Sequence, residues 1–377
     1  MTGTAPKITV IFLLYNAEKT VEALVDAIEK QRHPAFHNQE EWLEVLFMDD
    51  QSRDGTAKKL RAALEKAGQP AHYRAILNPV NLGLSRTLNK AFQLARSPYG
   101  LSCHCDVIFG RDDYVATMLE LMESHPNAGA ITGQPILPAA AGRPMPIAEK
   151  VNVVTNLMDI FPPEPLRGTS HGPKDVVTIG FAEGRCDVFR IAALEAVGYY
   201  DTTLRLAGED QVLAARLRSN GFEIYQAPSL PYFLSVSDEQ DSLEKLLKHQ
   251  MLYGRAHPYI LLKVRQASAG VIGKVAGANR QARTLLRALQ LVSAAVYLWT
   301  AFAILLGLPT GSWLAPLLSI FLAKHLLFLR HLKAVPLTAK ELLVLYGFQP
   351  LLDIAYSLGL IHGLWLVSWS SKSRPIS

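Results

Sequence analysis

Leu101-Ser102-Cys103-His104-Cys105-Asp106-Val107-Ile108-Phe109-Gly110-Arg111-Asp112-Asp113 is the stretch on which the fold turns. A run of alternating strand and helix patterns precedes it, and a helix pattern over Tyr114–Ser124 follows it. His104-Cys105-Asp106 therefore falls where a strand ends. In an open α/β sheet, ligands sit at the carboxyl ends of strands. A hard cation such as Mg2+ or Mn2+ takes carboxylate oxygens together with substrate phosphates. Asp106 is placed to meet such a metal–phosphate group, with His104 as a second ligand. On these residues alone the alternative is that Asp106 caps the next turn and His104 simply packs.

Upstream, Ile8–Leu14 is a near-continuous β-rich run, as expected for a strand covered on both faces. It ends at Tyr15-Asn16-Ala17-Glu18. Val21, Leu24, Val25 and Ile28 recur at helical spacing within Thr20–Gln31. Leu43–Met48 reads as a second strand running into Asp49-Asp50-Gln51-Ser52-Arg53-Asp54-Gly55-Thr56. Adjacent carboxylates repel unless donors or positive charge lie between them. A Ser/Asp-rich turn is also an ordinary helix start, with Thr56 as the cap of a helix over Ala57–Ala67. Tyr73–Leu77 is a third strand, and Asn78–Ser85 leads into a helix over Arg86–Ala95.

Downstream, Gly129–Gly133 is a small-residue strand, Pro135–Pro146 a Pro/Ala-rich loop and Glu149–Phe161 a helix. Val176–Phe181 and Gly221–Tyr225 read as strands, and Ile191–Val197 as a helix. Gly208-Glu209-Asp210 opens a helix over Gln211–Asn220. Carboxylates there are favoured by the helix dipole whatever else they do.

The chain has 377 residues, enough for one large domain and something more. Apolar residues make up 49%, and mean hydropathy is +0.14. The apolar excess accumulates after residue 285, which points to a membrane part. The formal charge of +5 is uneven too: Lys245 to Lys340 contains no Asp or Glu, and nine Lys or Arg fall from Lys245 to Arg287. A basic segment leading into apolar spans reads as a cytoplasmic, anionic-lipid-facing stretch rather than a nucleic-acid surface. Cys103, Cys105 and Cys186 lack the second pair that a structural zinc site needs. Few cysteines fit a reducing compartment. Met1–Pro6 is short and polar, so no signal peptide is expected.

Leu243–Gly254 is amphipathic, with Leu243, Leu246, Leu247 and Met251 on one side and Lys245, Lys248 and His249 near the other. It reads as an interfacial helix with a basic rim. Arg255 follows it. A guanidinium suits a diphosphate or a lipid headgroup equally well. Ala288–Leu308 is 21 residues without a charge, long enough to span. Arg280, Arg283 and Arg287 precede it and put the preceding domain on the cytoplasmic side. Trp313–Leu329 and Leu342–Trp369 are further apolar segments, with re-entrant topology as their alternative. Lys324 and Asp353 inside them either pair across helices or mark a path for a polar substrate.

The order of these motifs resembles the family 2 glycosyltransferases of the GT-A fold. The residues are Leu14-Tyr15-Asn16-Ala17-Glu18, Met48-Asp49-Asp50-Gln51-Ser52-Arg53-Asp54-Gly55-Thr56, Asn81-Leu82-Gly83 with Asn89, His104-Cys105-Asp106, and Gly208-Glu209-Asp210 with Leu213. The likeness runs over roughly residues 7–235. His104 departs from it, standing at the first Asp of the family's D-x-D. The resemblance implies an α/β fold: a mixed sheet flanked by helices that binds a nucleotide-sugar, followed here by an α-helical membrane region. It implies a GT-A domain over 1–240; the charge and apolar patterns add an interfacial segment over 241–285 and a transmembrane region over 286–377. Tyr15, Glu18 and Asp50 would hold the base and ribose of the donor, expected as a UDP-sugar. Asp106 and His104 would hold Mg2+ or Mn2+, and Asp210 would be the catalytic base of an inverting transfer; Arg255 lies outside the likeness, and its guanidinium alone suggests contact with the diphosphate or a lipid headgroup. Ala182–Arg190 would lie beside the acceptor, and Asp201 would hold a turn. Pro162–Lys174, with four prolines, two glycines and His171, would be a lid or a plain surface loop.

The acceptor expected of a membrane-attached enzyme is a lipid-linked saccharide or a lipid, in exopolysaccharide or glycolipid synthesis at the cytoplasmic face of the inner membrane. No nucleic-acid partner is expected. The competing function is a catalytically weak membrane scaffold that keeps the fold, for which His104 is the best support. A dinucleotide-dependent oxidoreductase is disfavoured, because no G-x-G-x-x-G follows the first strand.

Overall fold

The computed structural model describes residues 5–137, 144–157, 175–204, 207–234, 242–267 and 278–370. The expected lid at Pro162–Lys174, with His171, lies outside the described residues, as does 138–143 of the Pro/Ala-rich loop. Two compact units divide the chain: 1–137 with 160–235 and 263–275, and 138–159 with 236–262 and 276–377.

The first unit opens with β1 (Ile8–Leu14), α1 (Val21–Glu29), β2 (Leu43–Asp49), α2 (Thr56–Lys66), β3 (Tyr73–Leu77) and α3 (Leu84–Leu94). It continues with β4 (Tyr99–His104), β5 (Val107–Phe109), α4 (Tyr114–Ser124) and β6 (Ala128–Ile136). α5 (Ile147–Thr155) belongs to the second unit. The first unit then resumes with β7 (Val177–Thr178), β8 (Cys186–Arg190), α6 (Ile191–Val197), α7 (Glu209–Ser219) and β9 (Glu223–Leu234).

The strands form one mixed sheet in the order β3-β2-β1-β4-β8-β6-β9-β5, with β7 added on β9. β3, β2, β1 and β4 are parallel, and β8 turns antiparallel beside β4. The continuous apolar runs are explained by two covered faces. Ile8, Val10, Phe12 and Leu14 of β1 enter one apolar cluster, and Ile11 and Leu13 enter the other. β2 divides the same way, Leu43, Val45 and Phe47 against Leu46 and Met48. Glu44 is a buried charge within this apolar run. It is fully buried and accepts from Thr9 Oγ1 at 2.8 Å, Arg96 N–H at 2.9 Å, Arg96 Nε at 2.7 Å and Arg74 Nη1 at 2.9 Å. Thr56 does not cap α2: it is the helix's first residue, and its hydroxyl accepts the Ala17 N–H at 2.7 Å.

The second unit holds α5, most of α8 (Leu243–Ala267), α9 (Ala278–Leu305), α10 (Gly311–Ala334) and α11 (Ala339–Ser370). Three helical stretches are long and apolar enough to cross a membrane: Thr284–Leu305, Gly311–Ala334 and Ala339–Ser368. Leu298, Phe302, Leu305, Leu322, Leu343 and Ile361 point outward from them. Inside, Val151 and Val154 of α5 join Leu246, Leu286, Phe328, Leu345 and Leu352 in one buried cluster. Lys324 and Asp353 pair with each other and are fully buried, and Gln349 Nε2 donates to Asp353 at 3.1 Å. Pairing, rather than an open polar path, is therefore what the structure shows for these two residues. α8 runs on beyond the expected end at Gly254, through Pro258. Gly254 is a packing residue: a Cβ there would meet the Tyr356 carbonyl of α11 at 2.0 Å.

Candidate active site

Strand register gathers the site. Leu14 at the end of β1 lies level with Asp49 of β2, and Leu13 lies level with His104 of β4. The loops at Tyr15–Glu18, Asp50–Thr56 and Cys105–Asp106 therefore leave the sheet together at its carboxyl edge.

The first two loops are laced together. Asn16 N–H donates to Ser52 Oγ at 2.9 Å, and Arg53 N–H to Asn16 Oδ1 at 2.9 Å. Glu18 N–H donates to Asp54 Oδ2 at 3.1 Å, while Gly55 N–H donates to Glu18 Oε2 at 3.1 Å. Burial would raise the Asp54 carboxyl, but the donors from Thr56 and Glu18 outweigh it and hold it below its ordinary value. Tyr15 stands exposed at the rim.

Asp50 is buried and accepts three hydrogen bonds from the 78–83 loop: Asn78 Nδ2 at 2.9 Å, Leu82 N–H at 2.8 Å and Gly83 N–H at 2.8 Å. A carboxylate has about four acceptor positions, so Asp50 keeps one in reserve. Asn89 ties a different pair of elements. Its amide donates to the Tyr200 carbonyl at 3.0 Å and accepts the Tyr200 N–H at 2.9 Å. Asp201 is a turn residue, accepting from Thr203 N–H at 3.0 Å and Arg216 Nη2 at 2.9 Å.

At the end of β4 two buried atoms have no hydrogen-bond partner among the described residues, His104 Nε2 and Asp106 Oδ1. Burial lowers the His104 pKa; the Asp106 charge opposes this and that of Arg185 adds to it. A neutral imidazole nitrogen and a carboxylate oxygen are metal donor atoms, and the imidazole suits Mn2+ better than Mg2+. These residues fit a divalent cation but do not enclose one. Among the described residues no group of three or more His, Cys, Asp or Glu is assembled to hold a metal. The remaining positions would fall to substrate phosphates and water.

Asp210 lies in the first turn of α7 and borders an apolar crevice lined by Ala182, Phe189, Tyr200 and Leu213. Burial pushes its carboxyl well above the usual range, and the charges of Glu209, Glu183 and Asp187 push the same way. Asp187 is fully buried in β8, where burial lifts it to about 6 against the Thr132 hydroxyl and the Gly184 N–H. Glu183, Arg185 and Asp187 lie in the stretch expected beside the acceptor and Glu209 in the Asp210 motif, but the sequence assigned none of them a role of its own. A charge inside the otherwise apolar Cys186-Asp-Val-Phe run was the available signal for Asp187. Arg255 lies on α8 in the second unit, with its backbone against Gly359 and Gly363.

The sheet order, the motif loops at one edge and the flanking helices define a GT-A glycosyltransferase fold. Residues 9–154 match the family described as "Glycosyl transferase family 2". Over those residues the chain resembles that family, on the fold that the family has. It is similar to the mannosyltransferase PcManGT from Pyrobaculum calidifontis, solved in complex with GDP-Man and Mn2+: 16% identity, 96% of this chain, 88% of that chain, TM-score 0.52. Structures with lower scores include GalNAc-T7 with UDP, GalNAc and Mn2+ (12% identity, 71% of this chain, 55% of that chain, 0.49). They also include S. aureus TarS 1-349 in complex with UDP (15%, 96%, 92%, 0.42). No curated protein sequence matches the chain.

Proposed function

We propose that this chain is a metal-dependent, inverting glycosyltransferase moving a sugar from a nucleotide-sugar, expected as a UDP-sugar, to a lipid-linked saccharide or lipid. The observation that carries the reading is the pair of orphaned buried atoms, His104 Nε2 and Asp106 Oδ1, at the strand edge where the two donor-loop motifs meet. Tyr15, Glu18 and the reserve acceptor of Asp50 bind the base and ribose. His104 and Asp106 would hold the divalent cation, which when bound neutralises charge on the leaving diphosphate. Asp210 takes the proton of the acceptor hydroxyl while that oxygen bonds to the anomeric carbon. The bond from that carbon to the diphosphate oxygen breaks on the opposite face, so configuration inverts. Arg255, on the basic helix, meets a diphosphate or a lipid headgroup.

Three apolar helices support a membrane-attached enzyme with a lipid-borne acceptor. Arg287 near the start of the first span, Arg330 and Lys333 near the end of the second and Lys340 at the start of the third support a cytoplasmic catalytic domain. The proposed domains are those of the sequence reading: 1–240 catalytic, 241–285 interfacial, 286–377 transmembrane.

The test is nucleotide release by the purified chain in detergent, given a panel of UDP- and GDP-sugars, a bacterial lipid extract and Mg2+ or Mn2+. Donor-selective, metal-dependent release with an inverted product anomer is expected. Absence of release with every donor, together with absence of nucleotide binding, would favour the scaffold reading.

A further inference from the structure

Arg185 stands immediately before β8, at the level where β4 ends. The β4–β8 ladder closes with Cys103 opposite Cys186, and the next bond runs from His104 N–H to the Arg185 carbonyl at 2.9 Å. Arg185 is thus fastened to the backbone of a candidate metal ligand. The turn that presents it is fixed as well. Gly184 has φ of +77°, which a side chain would strain, and its N–H donates to the fully buried Asp187 Oδ2 at 2.7 Å. The guanidinium reaches back over the site, with Nη1 4.0 Å from Asp106 Oδ2 and the side chain 22% exposed. At that length it is a charge contact rather than a hydrogen bond.

We propose that Arg185 binds the leaving diphosphate directly, as a built-in cation beside the metal position. The proposal rests on the nucleotide-sugar reading above. Charge decides it. A divalent cation held by one carboxylate and a neutral imidazole keeps a single positive charge. The donor diphosphate carries one negative charge per phosphate, and its terminal phosphate gains another as the glycosidic bond breaks. His104 in the place of a second carboxylate helps this balance, and the Arg185 guanidinium supplies the next positive charge. Its planar fork matches two phosphate oxygens, which an ammonium does not. Asp106 Oδ1 has no hydrogen-bond partner among the described residues and Asp106 Oδ2 lies toward Arg185, so one carboxylate would serve both cations.

The experiment is equilibrium binding of UDP, GDP, UMP and GMP to the full chain in detergent with Mn2+, for wild type, Arg185→Ala and Arg185→Lys. Direct diphosphate binding predicts that Arg185→Ala weakens UDP or GDP by about tenfold or more while the matching monophosphate changes little. Arg185→Lys falls between, keeping the charge and losing the fork. An unchanged preference for diphosphate over monophosphate in Arg185→Ala overturns the proposal. So does a change confined to Mn2+ affinity measured without nucleotide, since Arg185 would then act only through Asp106. Thermal unfolding of each variant in detergent checks that the fold is kept, and Arg185→Lys carries the comparison if Arg185→Ala unfolds. A wild-type chain that binds no nucleotide at all removes the nucleotide-sugar reading itself, and this proposal with it.

Discussion

At the scale of the residue, Asp210 shows which of two opposed effects wins. The first turn of a helix favours a carboxylate by roughly 0.3–1 kcal/mol. Burial and the charges of Glu209, Glu183 and Asp187 act the other way and prevail, so the carboxyl is held well above its ordinary value. A stronger proton acceptor results, as a general base requires. The sign follows. With Asp210 as the proposed base, activity should fall as pH drops through the raised pKa. The group's stabilising contribution runs opposite: it is complete below the unfolded value and lost as pH rises through the folded one. Asp187→Asn removes one of the negative neighbours and keeps an oxygen for the Gly184 N–H. The lower limb of the pH profile of kcat/KM should move to lower pH; an unmoved limb would separate Asp187 from Asp210. The sequence marked Asp210 through its motif. It marked Asp187 only as a charge in an apolar run, because the effect on Asp210 comes from spatial proximity that the sequence does not carry.

At the scale of the element, β1 and β2 were legible because two covered faces require uninterrupted apolar residues. Glu44 was not, since its partners come from β1, β3 and the turn after α3. Burial would raise its carboxyl, but the N–H of Arg96 and the side chains of Thr9, Arg74 and Arg96 hold it below the ordinary value. Its stabilisation is therefore present above the unfolded pKa and disappears as pH falls through the folded one. Glu44→Ala should cost about 3 kcal/mol, because buried donors lose their acceptor while the two arginines regain some water. Chemical denaturation of wild type and variant measures it, and a loss under about 1 kcal/mol would show the network to be dispensable. β9 was longer than its sequence suggested, with Pro228 and Pro231 inside its twelve residues. The β6–β9 register shifts between Thr132 and Gln134, an irregularity of the kind that accommodates proline in a strand.

At the scale of the whole molecule, three helices long and apolar enough to cross a membrane were legible from the length of the apolar runs, within a few residues of their observed bounds. The place of α5 in the membrane-helix unit was not, because its Val151 and Val154 carry no mark of what they pack against. Nor could the sequence choose between a polar path and a pair for Lys324 and Asp353, which depends on helix rotation. The pair is fully buried, so breaking it strands a charge. Lys324→Met alone should destabilise the chain by about 3–5 kcal/mol, and Lys324→Met with Asp353→Leu should recover most of that. Thermal unfolding in detergent reads both. A double variant no better than the single one would mean that the charges serve more than packing.

In the proposed reaction Asp210 is the base of a sugar transfer on this edge of the sheet. Its most direct test measures donor binding and nucleotide release side by side for wild type and Asp210→Asn, with the donor and metal that wild type uses. Unchanged donor affinity and release slowed by about 10²–10⁴-fold are expected. Release within tenfold of wild type, at equal donor occupancy, would contradict it.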